Sequence, residues 1–295
     1  MDVAHTAPAP EELSKSRQAA LLSLLGDDDP LVYQTVREKI LSYGRPATEW
    51  LRPHTVSNDP ALRRRARELV IHFDRQAADD HFLAFCLRHG EDLDVEEGAW
   101  LLAQTRYPLI NTDAYRALLD SYAIELGERL ERADDPLEHL SIINRYLFRE
   151  LGFGGNEENY YDPENSYLNC VLDRRKGNPI NLCLVYLLVA RRLRLPIAGI
   201  GLPGHFVCRY QSSAVEIYFD PFNRGKILSK GDCLQYLAHA KFGFSEETLT
   251  PISPRRLLLR VCNNLHQIYQ RLEQANEATR LQRYVIALGE RYRTA

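Results

Sequence analysis

Three residues in this sequence have the types and spacing to do chemistry together: Cys183, His205 and Asp220. A thiol near a helix N-terminus is activated by the helix dipole and by a neighbouring imidazolium. Cys183 stands in the first turns of a helix expected to begin at Pro179, and Cβ bonds tilt back towards the helix mouth. His205 and Asp220 flank two β-prone runs joined by the turn-like Gln211-Ser212-Ser213-Ala214. With Ser212 and Ser213 as the loop, Gln211 pairs with Ala214, and counting outward sets His205 opposite Asp220. Directly opposed side chains share a face, with Cβ atoms about 5 Å apart. A carboxylate at that distance orients an imidazole and favours its protonated form. A one-residue slip would put the two on opposite faces. As a trio, Cys183 would attack an acyl group, His205 would be base and acid, and Asp220 would orient the ring.

Each of these residues also has a plainer reading. Cys183 lies in the longest apolar run, Leu182 to Ala190, where a free thiol is ordinarily an inert core residue. His205 can be a hydrogen-bonded structural histidine, and Asp220, before Pro221, a turn residue at a strand end. Cys208, an odd number of residues beyond His205, points to the other face of the strand and is left out. Asn178 reads as a turn residue or an oxyanion donor. Tyr160, Tyr161, Asn165 and Tyr167 either line a groove or pack a long loop.

The elements that must position these residues follow from pattern. Strands are expected near Ala198–Gly201, Phe206–Tyr210 and Val215–Phe219, after a helix from Pro179 to about Leu195. A short helix, Tyr167–Asp173, precedes them, and residues 230 to 242 read as helical. Upstream, helices are expected at Ala77–His89, Val95–Thr105, Thr112–Ala133 and Pro136–Leu151. The first 75 residues hold a repeat at an offset of 30, opened by Asp28-Asp29-Pro30 and by Asn58-Asp59-Pro60. Each copy has Asp at the N-cap and Pro at the first helical position, which is similar to a HEAT-type unit. From Pro254, the stripe Leu257, Val261, Leu265 and Ile268 and the run Ala275 to Arg291 form a helical pair of tetratricopeptide-like length.

The spaced runs Asn165-Ser166-Tyr167-Leu168, Lys176-Gly177-Asn178-Pro179-Ile180-Asn181-Leu182, Leu202-Pro203-Gly204-His205-Phe206 and Asp220-Pro221-Phe222 resemble the transglutaminase-like core of the bacterial SirB-type proteins. The same core occurs in an F-box protein of animals, and the resemblance spans about residues 92 to 290. It implies an α+β fold, mainly helical: a papain- or transglutaminase-like core with a small antiparallel sheet, preceded by HEAT-like helical repeats. The implied divisions are residues 1–90, 91–250 and 251–295. His205 and Asp220 match the family's His and Asp. The family's Cys follows a Gly with one residue between, and here that position is Pro179, after Gly177-Asn178. Cys183 lies one helical turn, about 5.4 Å, deeper. Two functions stay open: Cys183-dependent acyl transfer or amide hydrolysis, and a non-catalytic interaction or regulatory scaffold.

Composition bounds the rest. A chain of 295 residues suggests about two domains. With 37 basic and 40 acidic residues, bulk charge argues against a nucleic-acid partner. Arg63-Arg64-Arg65 with Arg67 reads as one basic helix face. The longest apolar run falls far short of the ~20 residues that cross a bilayer. Met1 to Glu12 lacks the pattern of a secretory signal, and six cysteines without C-x-x-C spacing suit a reducing cytoplasm. No metal-ligand spacing and no phosphate-binding glycine motif occur, so no cofactor or metal is expected. The expected partner is a protein or peptide.

Overall fold

The computed structural model describes residues 13–88, 90–239 and 249–289. The chain divides into two compact units, before and after the Asp80–His81 bond.

The first unit is helical. It contains α1 (Lys15–Leu25), α2 (Pro30–Ser42), α3 (Ala47–Leu51) and the start of α4 (Pro60–Arg88). Both repeat starts form as capped helices: Asp29 Oδ1 accepts from the Leu31 N–H at 2.8 Å, and Asp59 Oδ1 from the Ala61 N–H at 2.8 Å. Leu25, Val36, Ile40, Leu51, Leu69 and Phe73 make the core of this unit. The break expected between Asp74 and Ala77 is absent, because no glycine or proline interrupts α4 there.

The second unit carries the site. Its helices are α5 (Val95–Arg106), α6 (Thr112–Leu130), α7 (Pro136–Asn144), α8 (Leu168–Arg174), α9 (Pro179–Arg192), α10 (Lys230–His239), α11 (Pro254–Arg271) and α12 (Ala275–Gly289). The helix expected to reach Leu151 is α-helical only to Asn144 and continues as one π-turn, Arg145–Glu150. The last residues of two expected helices, 240–242 and 290–291, lie outside the described residues, as do Met1–Glu12 and His89.

Two short strands, β1 (Gly154–Gly155) and β2 (Lys176–Gly177), pair in parallel just before α9. The main sheet is antiparallel in the order β3 (Ile197–Leu202), β4 (His205–Gln211), β5 (Glu216–Asp220), β6 (Lys226–Leu228). Alternation along β4 sends Phe206, Cys208 and Tyr210 into the main core with α9, and Val207 into a smaller core with Cys233 and Leu237 of α10. With both faces covered, the strand reads as the near-continuous apolar run Phe206-Val207-Cys208. Helices α11 and α12 belong to the same main core through Leu257, Val261, Leu265, Leu281 and Tyr284. Arg255 of α11, itself buried, donates to the Cys86, Ala287 and Leu288 carbonyls near the ends of α4 and α12.

The β4–β5 register differs from expectation. Gln211 pairs with Glu216, not Ala214. The Ser212 hydroxyl accepts from the Ala214 and Val215 N–H groups, both at 3.2 Å, and the Ser212 N–H donates to the Val215 carbonyl at 3.0 Å. The turn is therefore centred on Ser213-Ala214, one residue later. Moving a hairpin's centre by one residue moves the pairing by two, which preserves the face of every side chain. His205 and Asp220 are thus diagonal neighbours on one face instead of direct opposites.

Candidate functional site

Pro203-Gly204 is the two-residue turn between β3 and β4, where Leu202 pairs with His205. Gly204 has φ +70°, a conformation that proline followed by glycine supplies readily in a tight turn. The turn makes His205 the first residue of β4, at the sheet's end.

Asp220 ends β5 and turns the chain. Its Oδ1 accepts from the Phe222 N–H at 2.9 Å and from that of Asn223 at 3.3 Å. Its Oδ2 accepts from the Asn223 amide and from His205 Nε2, both at 2.7 Å. Asp220 is therefore both a strand-end turn residue and the orienter of His205. Burial pushes its carboxyl pKa up, but the His205 imidazole and the Asn223 donors outweigh that and hold it below the usual carboxylate value. With Asp220 ionised, Nε2 carries a proton, and Nδ1 is the basic nitrogen of the neutral ring.

Below them, α9 begins at a polar knot. Asn178 caps it: Oδ1 accepts from the Asn181 N–H at 2.9 Å, and Nδ2 donates to Ser166 Oγ at 2.7 Å. Asn264 of α11 also donates to Ser166 Oγ, at 3.1 Å. Asn165, fully buried, donates to the Asn159 and Tyr160 carbonyls and fixes the loop before α8. The runs around Asn165 and Asn178 thus shape the mouth of α9 instead of supplying a nucleophile.

A cleft of about 220 Å³ opens at this mouth. Asn178, Pro179 and Ile180 form its floor, Gly204, His205 and Phe206 one wall, and Arg260, Asn263, Asn264 and Gln267 of α11 the other, with Tyr160 at the rim. Of the four aromatic-loop residues, Tyr160 alone lines the cleft. Tyr167 is buried against the Tyr269 hydroxyl at 3.0 Å, and Tyr161 is exposed under the Arg271 guanidinium. Phe222 and Tyr236 flank the His205 ring, at 6.1 and 5.8 Å between centroids.

The structure brings His205 and Asp220 together and leaves Cys183 apart from the cleft. Cys183 has 0 % exposure, and its thiol donates to the Phe206 carbonyl at 3.5 Å. It shares the α9 side of the sheet with Cys208, whereas the His205 side chain is on the α10 side. Burial first, then Cys208 and Asp220, push its thiol pKa well above the ordinary value. Pro179, which lines the cleft, has no reactive side-chain group.

The wall on α11 was missed by the sequence reading. Arg260, Asn263, Asn264 and Gln267 repeat at three, four and seven residues, a second stripe beside the apolar one of Leu257, Val261, Leu265 and Ile268. That polar stripe was the available signal.

Among the described residues, no cluster of three His, Cys, Asp or Glu side chains could hold a metal ion, and no helix is long and apolar enough to cross a membrane.

The cleft thus joins a helix mouth to a strand-borne His–Asp pair. Residues 113–263 match the transglutaminase-like superfamily, and the chain belongs to it. More particularly, it is 36 % identical over 197 residues to a UPF0162 protein of Xylella fastidiosa, covering 64 % of this chain and 70 % of that one. It is 28 % identical over 207 residues to a UPF0162 protein of Pseudomonas aeruginosa, covering 69 % of this chain and 75 % of that one. Likeness to the F-box only protein 21 of Mus musculus is 33 % over 144 residues, 45 % of this chain and 22 % of that protein. No solved structure matches.

Proposed function

We propose that this chain is a binding member of its superfamily: the cleft at the mouth of α9 holds a segment of a protein or peptide partner, and no thiol attacks it. One observation carries the reading. Pro179 stands at the cleft, while Cys183 is sealed beneath β4 with its thiol donating a hydrogen bond to the Phe206 carbonyl. A thiol attacks as thiolate, and a buried one in apolar surroundings stays protonated. The His205–Asp220 pair then serves as a hydrogen-bonding wall. The cytoplasm is the compartment we assign, because free thiols persist there. The capped helices of the first unit, read as HEAT-like, and the α11–α12 pair, read as tetratricopeptide-like, are candidate partner surfaces, within the divisions 1–90, 91–250 and 251–295.

A second reading, acyl transfer or amide hydrolysis through Cys183, is favoured by the 2.7 Å His205–Asp220 contact. Iodoacetamide labelling, resolved by peptide mass spectrometry, separates the two. The binding reading expects Cys183 to label only after unfolding, in wild type and His205→Ala alike. Rapid labelling of the native protein at pH 6 that slows in His205→Ala would overturn it and establish an imidazole-activated thiolate.

A further inference from the structure

Among the described residues, Arg260 has no acidic partner. Its Nη2 donates to the Leu202 carbonyl at 2.6 Å and the His205 carbonyl at 3.0 Å, and these are its hydrogen bonds to the described residues. Nη1 and Nε have no acceptor among the described residues. The guanidinium lies 5.4 Å from the centre of the Phe206 ring and is held against β3, where a Cβ on Gly201 would come within 2.3 Å of Nη1. The glycine keeps that space open for the charge. A half-buried cation without a counter-ion is costly, and structures ordinarily pair it. Burial lowers its pKa, with Tyr236 opposing.

Nothing else in the cleft neutralises it. The lining contains no Asp or Glu. Asp220 is spent on His205 and on its own turn. Asp220 is not among the residues that line the cleft, so among the described residues Arg260 is the one permanently charged side chain facing the space. The remaining polar groups are carboxamides, those of Asn263, Asn264 and Gln267, together with the mouth of α9. There the Ile180 N–H, at the second helical position, has no acceptor within the helix.

We propose that this cleft receives a monocarboxylate attached to an amide, the group found at a peptide's C-terminus or on an acidic side chain. A monoanion neutralises the single positive charge, whereas a phosphate dianion would leave one negative charge unpaired in the cleft. The carboxamides suit the adjoining amide, each able to donate and accept. The volume, about 220 Å³, lies below the roughly 300–1,000 Å³ of pockets that hold drug-sized ligands, which limits the occupant to a terminal residue. This deepens the binding reading above and rests on it.

The test is NMR titration of the full chain, following the Arg260 Nε–H and Ile180 amide signals. N-acetylglycine represents a chain terminus, the α-amide of N-acetylglutamic acid an acidic side chain, and N-acetylglycinamide is the uncharged control. At least one carboxylate probe should shift both signals and bind tenfold or more tightly than the amide; the tighter of the two names the source. Arg260→Gln should lose that preference, and Arg260→Lys should keep part of it. Gly201→Ala, which displaces the guanidinium and leaves its charge, should weaken binding too. Each variant is scored well below its thermal midpoint, after a midpoint close to wild type has shown that it is folded. Equal binding of amide and carboxylate, a preference that survives Arg260→Gln, or tighter binding of inorganic phosphate would overturn the ligand class. If that happens while Cys183 remains unlabelled in the native protein, the ligand assignment alone fails. Rapid native labelling of Cys183 removes the binding reading beneath it.

Discussion

Asp220 has four hydrogen-bond donors on two oxygens, and that arrangement links the site to stability. Its folded pKa lies below the unfolded value of about 3.9. The sign follows: the carboxylate form is favoured by folding, so its contribution is complete above the unfolded pKa and is lost as pH falls through the folded one. Asp220→Asn should cost about 1–3 kcal/mol at pH 6, the usual cost of leaving buried partners poorly satisfied. It should also lose less stability than wild type between pH 6 and pH 3. Urea unfolding at both pH values checks this, and equal losses in the two proteins would refute the linkage. The pairing of His205 with Asp220 was legible in the sequence because β-alternation fixes faces, and a two-residue shift of register leaves faces intact. The position of Cys183 was half legible. Helical periodicity puts it one turn below Pro179, but only the sheet shows that Phe206 and Cys208 close over that turn. The apolar run Leu182 to Ala190, which is the signature of a buried helix, pointed the right way.

At the scale of the element, α9 illustrates how a helix start becomes a site. Proline at the first helical position costs no hydrogen bond, because that N–H would be an orphan in any helix. Asn178 satisfies one N–H and ties the start to Ser166, which in turn holds Asn264 of the facing helix. Asn178→Ala should therefore destabilise by about 1–3 kcal/mol, combining a lost cap with an unsatisfied hydroxyl. Asn178→Ser, which restores the cap but not the reach to Ser166, should recover part of that in chemical denaturation. Equal stability of the Ala and Ser variants would show that the cap contributes little. Capped starts were readable from sequence at Asp29 and Asp59, since capping is local chemistry; at α9 the start at Pro179 was readable, but the cap on Asn178 was not. The interruption at Asn144 and the β1–β2 pair were not. A π-turn leaves no composition signal, and two-residue strands depend on partners more than twenty residues away.

For the whole molecule, the distribution of its thiols has a kinetic consequence. All six cysteines are buried as free thiols, and all six follow Asp80 in the chain. Burial pushes Cys86 up to about 12 and Cys170 and Cys233 to about 11, with Cys262, like Cys183, well above its ordinary value. Because the thiolate is the reactive form, modification at neutral pH must wait for the surrounding structure to open. When reclosing outruns the reagent, the modification rate measures the equilibrium population of the opened state. The count of alkylated sulfurs per molecule should then rise in urea together with the unfolding of residues 81–295 and carry no signal from the segment before them. Mass spectrometry of partly alkylated protein, compared with circular dichroism of the whole chain, would reveal whether the two units unfold in one step or two. The thiols of this protein are thus a stopwatch confined to one of its two units.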